Sequence, residues 1–342
     1  MAPPFGKGGG KGGKGGGKGG GRGPKVLGTD GSYSAGILLK VNLKLGGANG
    51  VSKAMNQGKS VVSAKPTMVI GLDVNHAGRG STADSHPAIC YSLDCLCSKW
   101  ATEVTSQKAK EELVPAEWLK ARMVHAAQEF QKRNHCPVQR LFFYRDGLAH
   151  NMFSAAVVQE VAAIKSAMEQ LGICPELVYI VVQKRTRARF CMRTPDGRGA
   201  GYEKPPYGLV VDREVTDATH HTAAGDFYLS PHFALKGRTL RTPRPAHYHV
   251  IVDEANLTAD QVHDFTFELC HVYQRATKVV SCPAPVYYAH LAAFQAQYNS
   301  TNWRDESAAW ETGSAASGGS SGSSATVLLP MHKDHDGKLW QV

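Results

Sequence analysis

The sequence predicts an α/β domain built on a mixed central sheet flanked by helices. Three observations carry that reading. Short apolar, β-branched runs of strand length alternate with longer segments of helical spacing. The first three such runs follow one another with no helix between them, which makes a meander and mixes strand directions. Two aspartates, Asp73 and Asp146, fall where two of the runs end.

Taken in order, Thr67–Val74 (TMVIGLDV) reads as a buried strand, and Ala88–Asp94 and Ala101–Ser106 as its meander partners. Pro115–Asn134 has helical periodicity, with proline at a first-turn position that needs no N–H. Leu141–Arg145 (LFFYR) is a strand closed by Asp146-Gly147. Asn151–Leu171 predicts one long helix, with Val157, Val161, Ile164 and Met168 on one face and Gly172 beyond its end. Leu177–Gln183 is a strand that runs into the basic stretch Lys184–Arg189. Asp226–Ser230 and Tyr248–Asp253 are strands, and Thr258–Thr277 and Pro285–Tyr298 are helices. In the segment LLKVNLKLGG, Leu39, Val41, Leu43 and Leu45 alternate with polar residues, which reads as a strand.

The 342 residues carry a net charge of +10, unevenly placed. Residues 1–66 hold 11 Lys/Arg and one acid, Asp30, whereas residues 67–342 hold 28 basic and 28 acidic side chains. A basic arm on a neutral body points to a polyanion partner, most often nucleic acid. Residues 1–24 contain 13 Gly with lysines at 7, 11, 14 and 18, a composition too costly in backbone entropy to order. A disordered tail is therefore expected over residues 1–34. The Gly/Ser/Ala-rich stretch 312–325 reads as a linker, so that 301–342 is expected to be linker and tail. No run of 18 apolar residues is present, and the N-terminus lacks the apolar stretch of a signal peptide. The eight cysteines form no C-x-x-C pair and read as reduced, mostly buried thiols. Cys95, Cys97 and His86 come nearest to a metal cluster but lack structural zinc spacings.

Asp73 and Asp146 lie where reacting groups collect in open α/β sheets, at the carboxyl ends of strands. Two carboxylates there can hold a pair of hard cations, which prefer oxygen ligands and leave positions open for phosphate. An aspartate after a strand also serves as a turn former or a helix cap.

The flanking residues narrow the choice. GLDVNH (71–76), FFYRDGL (142–148), IVVQKRTRARF (180–190), DFYL (226–229), RPAHYHVIVDE (244–254) and LCHVYQRATKVVSCPAPVYYAHLAAF (269–294) occur in this order. Together they resemble the PIWI domain of Argonaute proteins over roughly residues 35–298, and HYHV is closer to the Argonaute branch than to the Piwi branch. The resemblance implies an RNase H-like fold, with 35–66 the end of a Mid module and its linker and 67–300 the PIWI domain. It further implies guide-directed cutting of RNA with Mg²⁺, or Mn²⁺, as cofactor. Products would carry 5′-phosphate and 3′-hydroxyl ends. The implied partners are a small guide RNA, its complementary target RNA and proteins of a silencing complex, in the cytoplasm and also the nucleus, with no membrane.

Carried over position by position, the resemblance makes Asp73 the first catalytic aspartate, in contact with both metals, Asp146 the second, and His290 in YYAHL the last metal ligand. A glutamate finger is placed at Glu112, with Glu111 one residue away. Lys40 and Lys44 match the two lysines that hold the guide's 5′ phosphate. The family has a helix there, and strand and helix alike put both lysines on one face. Arg185, Arg187, Arg189, Tyr273, Arg275 and Tyr287 match contacts to the guide backbone. An imidazole must be neutral to bind a metal, so activity is expected to fall at acid pH.

The departures are equally specific. The sequence holds no PAZ module and only the end of a Mid module. Gln295 stands where an arginine is expected, Asn75-His76-Ala77-Gly78 lacks the usual Thr and Pro, and Leu339–Val342 matches the family's aromatic tail poorly. Three readings therefore stand at this stage: a metal-dependent endoribonuclease, a non-cutting RNA-binding adaptor, and a fragment of a longer Argonaute.

Overall fold

In the computed structural model the described residues are 31–78, 82–193, 202–217, 225–231, 244–299 and 339. The tail expected over 1–34 and the segment 301–342 lie outside them, apart from residues 31–34 and Leu339. Residues 31–34 already belong to a helix, so the tail's expected boundary falls too late.

Among the described residues there are ten strands: β1 (Thr67–Asn75), β2 (His86–Ser92), β3 (Trp100–Val104), β4 (Arg140–Asp146), β5 (Glu176–Gln183), β6 (Met192–Arg193), β7 (Tyr202–Glu203), β8 (Leu209–Val211), β9 (Asp226–Ser230) and β10 (Ala246–Asp253). Eight of them form one sheet in the order β3-β2-β1-β4-β5-β10-β9-β8, and β6 and β7 make a separate ribbon. Only β1, β4 and β5 run parallel; the strands on either side are antiparallel. The central strands are buried on both faces, which is why they read as continuous apolar runs.

The helices are α1 (Gly31–Lys44), α2 (Lys53–Asn56), α3 (Ala116–Asn134), α4 (Phe153–Ala156), α5 (Ala162–Gln170), α6 (Ala259–Leu269) and α7 (Ala284–Tyr298). One face of the sheet packs on α6 and α7 through Phe142, Tyr248, Phe265 and Val286. The other packs on α3 and α5 through Ile70, Phe143, Met123 and Ile164. This is the mixed-sheet arrangement that the sequence resemblance implied.

Three sequence expectations need correction. The 39–45 segment is helical, not extended. Only Leu43 of its alternating residues is buried, while Val41 and Leu45 are exposed, so the period of two reports no buried face. The helix expected over 151–171 is continuous to Gln170 but not uniformly α-helical: it opens with a 3₁₀ turn at His150–Met152 and carries a π-turn at Val157–Val161. Glu160, three residues after Val157 and four before Ile164, lies beside the apolar face by helical spacing and is fully buried. Finally, α6 starts with a full Thr258–Gln261 capping box but stops at Leu269; Val272, Tyr273 and Gln274 are buried in an irregular segment.

Candidate active site

Asp73 and Asp146 occupy equivalent positions near the ends of β1 and β4, in a parallel register that pairs Leu72 with Arg145. On these neighbouring parallel strands the two carboxyl groups are close enough for the Asp73 charge to act on Asp146. Both are buried, so two like charges meet away from water and require compensation. Gly147 follows Asp146 in a left-handed conformation (φ 85°) that glycine adopts without strain, and its N–H donates to the Val182 carbonyl at 3.0 Å.

Another glycine brings in the third group. A Cβ on Gly71 would lie 2.3 Å from the Pro285 carbonyl carbon, so the absence of a side chain lets α7 settle directly on β1. Little more than one helical turn beyond Pro285, His290 Nδ1 lies 2.7 Å from Asp73 Oδ2. On the other side Lys184, just past β5, sets its Nζ 2.7 Å from Asp146 Oδ2.

These neighbours separate the two acids. Burial alone would raise Asp73, but the His290 hydrogen bond and the charges of Lys184, His290 and Arg145 outweigh it and hold its carboxyl below the usual range. Burial raises Asp146, and the adjacent Asp73 charge adds to it, so that its carboxyl stays up despite Lys184.

The carboxylates open into a cleft of about 680 Å³ whose lining includes His76, Glu112, Gln183, Arg185 and Tyr287. Glu112 Oε1 lies 2.9 Å from His76 Nε2, and His76 Nδ1 lies 2.7 Å from Ser85 Oγ. Glu111, in contrast, is exposed and absent from the cleft wall.

Beneath the cleft runs a buried ion pair. Arg145 Nε lies 3.2 Å from Glu160 Oε2, and both side chains are inaccessible to solvent. The Arg145 guanidinium also donates to the backbone carbonyls of Asp146 and Glu112. Glu160 accepts in turn from the Tyr179 hydroxyl at 2.7 Å and the Val114 N–H at 3.3 Å. One buried pair thus ties the end of β4 to the segment carrying Glu112. Sequence reasoning assigned roles to neither His76, Lys184, Arg145 nor Glu160. A usable signal existed for Glu160, an acid amid the apolar positions Val157, Val161 and Ile164.

The basic residues have a different setting. Lys40 and Lys44 stand four apart on α1, both exposed. The end of α1 is tied to the segment after α6: Asn49 Nδ2 donates to the Leu39 and Gln274 carbonyls at 2.9 and 2.8 Å. Arg185, Arg187 and Arg189 are exposed, alternating with half-buried residues along the chain leaving β5. Tyr287 is half-buried in the cleft wall and Arg275 half-buried nearby in sequence to Tyr273. Tyr273 itself is buried, its ring 4.9 Å from that of Tyr287. Gln295 is exposed on α7. All eight cysteines are free. Among the described residues His86, Cys95 and Cys97 form no metal-binding group, and His86 Nδ1 is 3.2 Å from Ser106 Oγ.

Comparison with known proteins agrees with this fold. The C-terminal lobe of a budding yeast Argonaute superposes with a TM-score of 0.66 at 29% identity, covering 77% of this chain and 53% of that one. Kluyveromyces polysporus Argonaute with a guide RNA gives the same score and identity, covering 77% of this chain and 32% of that one. Drosophila Piwi shares the fold at 23% identity and a TM-score of 0.57, over 76% of this chain and 32% of its own. The chain therefore spans about half the length of the Argonaute lobe and a third of the whole Argonaute. No helix among the described residues is long and apolar enough to cross a membrane. A Piwi domain is matched over residues 25–301, most of the sequence, and the chain belongs to that family.

Proposed function

We propose that this chain is the nuclease part of a guide-directed endoribonuclease that cuts target RNA with Mg²⁺ or Mn²⁺. The observation carrying the proposal is the convergence of Asp73, Asp146 and His290 in one cleft. His290 lies 2.7 Å from Asp73, and Asp146 stands beside Asp73 on the neighbouring strand, facing the same cleft. A shared central carboxylate with one further ligand on each side fits two hard cations side by side. The buried like charges and the Lys184 ammonium against Asp146 also fit a site that calls for positive charge.

Asp73, Asp146 and His290 are the residues that would hold the cations. When bound, the cations supply Lewis acidity at the phosphate and lower the pKa of the attacking water. The chain's own groups do the rest. Glu112, oriented by His76, faces the cleft as an acceptor able to position a water molecule. Arg145 fixes the backbone on both sides of it. The exposed arginines 185, 187 and 189 offer phosphate contacts along the rim, and Lys40 with Lys44 offer a pair for a guide's terminal phosphate. In-line displacement by water leaves a 5′ phosphate and a 3′ hydroxyl.

The test is a guide–target RNA duplex incubated with the chain and Mg²⁺, with end-group analysis of the products. Cutting that requires the metal, leaves those ends and vanishes in Asp73→Ala supports the proposal. Metal-independent cutting, or 2′,3′-cyclic ends, overturns it. Binding of the duplex without cutting assigns the chain to non-cutting RNA-binding proteins.

A further inference from the structure

A second group of metal-ligating side chains lies one strand beyond β5, on residues the nuclease reading does not use. Asp226 on β9 pairs with His249 on β10, and His247 stands two residues before His249. By strand alternation all three side chains occupy the same face of the sheet. One donor atom from each falls within 4.8 Å of the others. Asp226 Oδ2 and His247 Nε2 are 2.5 Å apart, and the rings of His247 and His249 are 4.0 Å apart.

The group is held in place from outside. The other Asp226 oxygen, Oδ1, accepts the Asp217 N–H at 2.8 Å. Tyr228 stacks on His247, with ring centroids 3.9 Å apart and planes 9° from parallel. Phe153 packs 5.1 Å from the His249 ring. Asp226 and His249 are about 95% buried, at 4% and 5% exposure. Such outer contacts fix ring orientation and ligand geometry around a metal.

We propose that Asp226, His247 and His249 form a binding site for one zinc-class cation. Two imidazoles and one carboxylate suit a borderline first-row metal, whereas Mg²⁺ prefers an all-oxygen shell. Tetrahedral coordination with bonds of about 2.0–2.2 Å sets donors roughly 3.3–3.6 Å apart, so a shift of about 1 Å, opening the Asp226–His247 hydrogen bond and drawing the wider donors together, closes the set. The remaining position falls to water or to His150, an exposed residue whose ring lies 5.9 Å from that of His249. The site shares no residue with the Asp73–Asp146 cleft, so it stands independently of the proposed nuclease activity.

The experiment titrates the tag-free full chain, stripped with chelator, with Co²⁺ in excess Mg²⁺, reading visible absorption and bound metal per chain. One equivalent of Co²⁺ with the absorption of imidazole-ligated cobalt, displaced by Zn²⁺, is expected. It should survive Asp73→Asn with Asp146→Asn, disappear in His249→Ala, and weaken at least about tenfold in His247→Gln. Zn²⁺ should raise the melting temperature of the wild type and not of Asp226→Asn, which keeps the side chain's shape and carries the test if His249→Ala fails to fold. Absence of stoichiometric uptake overturns the proposal, as does uptake unchanged by the His247 and Asp226 substitutions. Either result leaves the three as a cross-strand hydrogen-bonded group only.

Discussion

The cleft and helix α1 both bring charged side chains together, but by opposite means. In the cleft each carboxylate has a partner at a fixed distance, His290 on Asp73, Lys184 on Asp146 and His76 on Glu112, and beneath it Glu160 pairs with Arg145. On α1, Lys40 and Lys44 stand exposed, placed only by helical spacing. Burial makes the cleft electrostatics strong and specific, whereas solvent screens the lysines and leaves them able to meet any phosphate. The contrast teaches that chemistry and anchoring can fail separately.

The largest effect should come from the cleft's own acids. Removing the Asp73 or Asp146 charge takes away several kcal/mol of transition-state stabilisation, so Asp73→Ala and Asp146→Asn should each lower cutting by on the order of 10³-fold. Guide affinity, measured by filter binding, should stay within about twofold, as expected of surface-driven binding. A comparable loss of guide affinity would erase the distinction between the two regions.

Next comes the pair beneath the cleft. Glu160→Ala leaves Arg145 charged and unpaired in the core, which should cost about 3–5 kcal/mol in denaturant unfolding. Because Arg145 also holds the carbonyls of Asp146 and Glu112, cutting should fall even at temperatures where the variant is folded. A variant equally active when folded would confine the pair to stability.

The sequence made the two regions unequally legible. Strand ends carry a strong local signal: apolar β-branched runs stopped by Asp73 and by Asp146-Gly147, so the acids and their strands could be read directly. The approach of His290 to Asp73 depends on Gly71, whose meaning becomes visible only once α7 lies against it. The π-turn at Val157–Val161 has no pattern of its own, since one inserted residue is invisible in the spacing of apolar side chains. On α1 the period misled because Ile37, Leu38, Val41 and Leu45 are all exposed, and periodicity reports structure only where a face is buried.

A smaller effect belongs to α1. Lys40→Ala with Lys44→Ala removes two phosphate contacts, so guide binding should weaken by about tenfold at moderate salt. The slope of log affinity against log salt should flatten by about 1.4, at roughly 0.7 per contact on a single strand. The cutting rate of the guide-loaded fraction should not change. An unchanged salt slope would show that the two lysines meet no phosphate.

The pH profile offers the finest separation. Burial and the neighbouring Asp73 charge raise the Asp146 carboxyl above the ordinary carboxylate range. Its folded value being raised, the protonated form persists to higher pH than in the unfolded chain, and the ionised form that a cation needs is lost as pH falls through the raised value. At low Mg²⁺ the cutting rate should therefore drop by up to about tenfold per pH unit on the acid side. The limb should shift to lower pH as Mg²⁺ rises, because the cation competes with the proton. Lys184 lowers the Asp146 carboxyl, so Lys184→Met should move the acid limb to higher pH. The double lysine variant on α1, far from both carboxyl groups in charge coupling, should leave the limb in place while still weakening guide binding. A limb that moved with α1 instead of with Lys184 would mean that guide loading, not Asp146, sets the pH dependence.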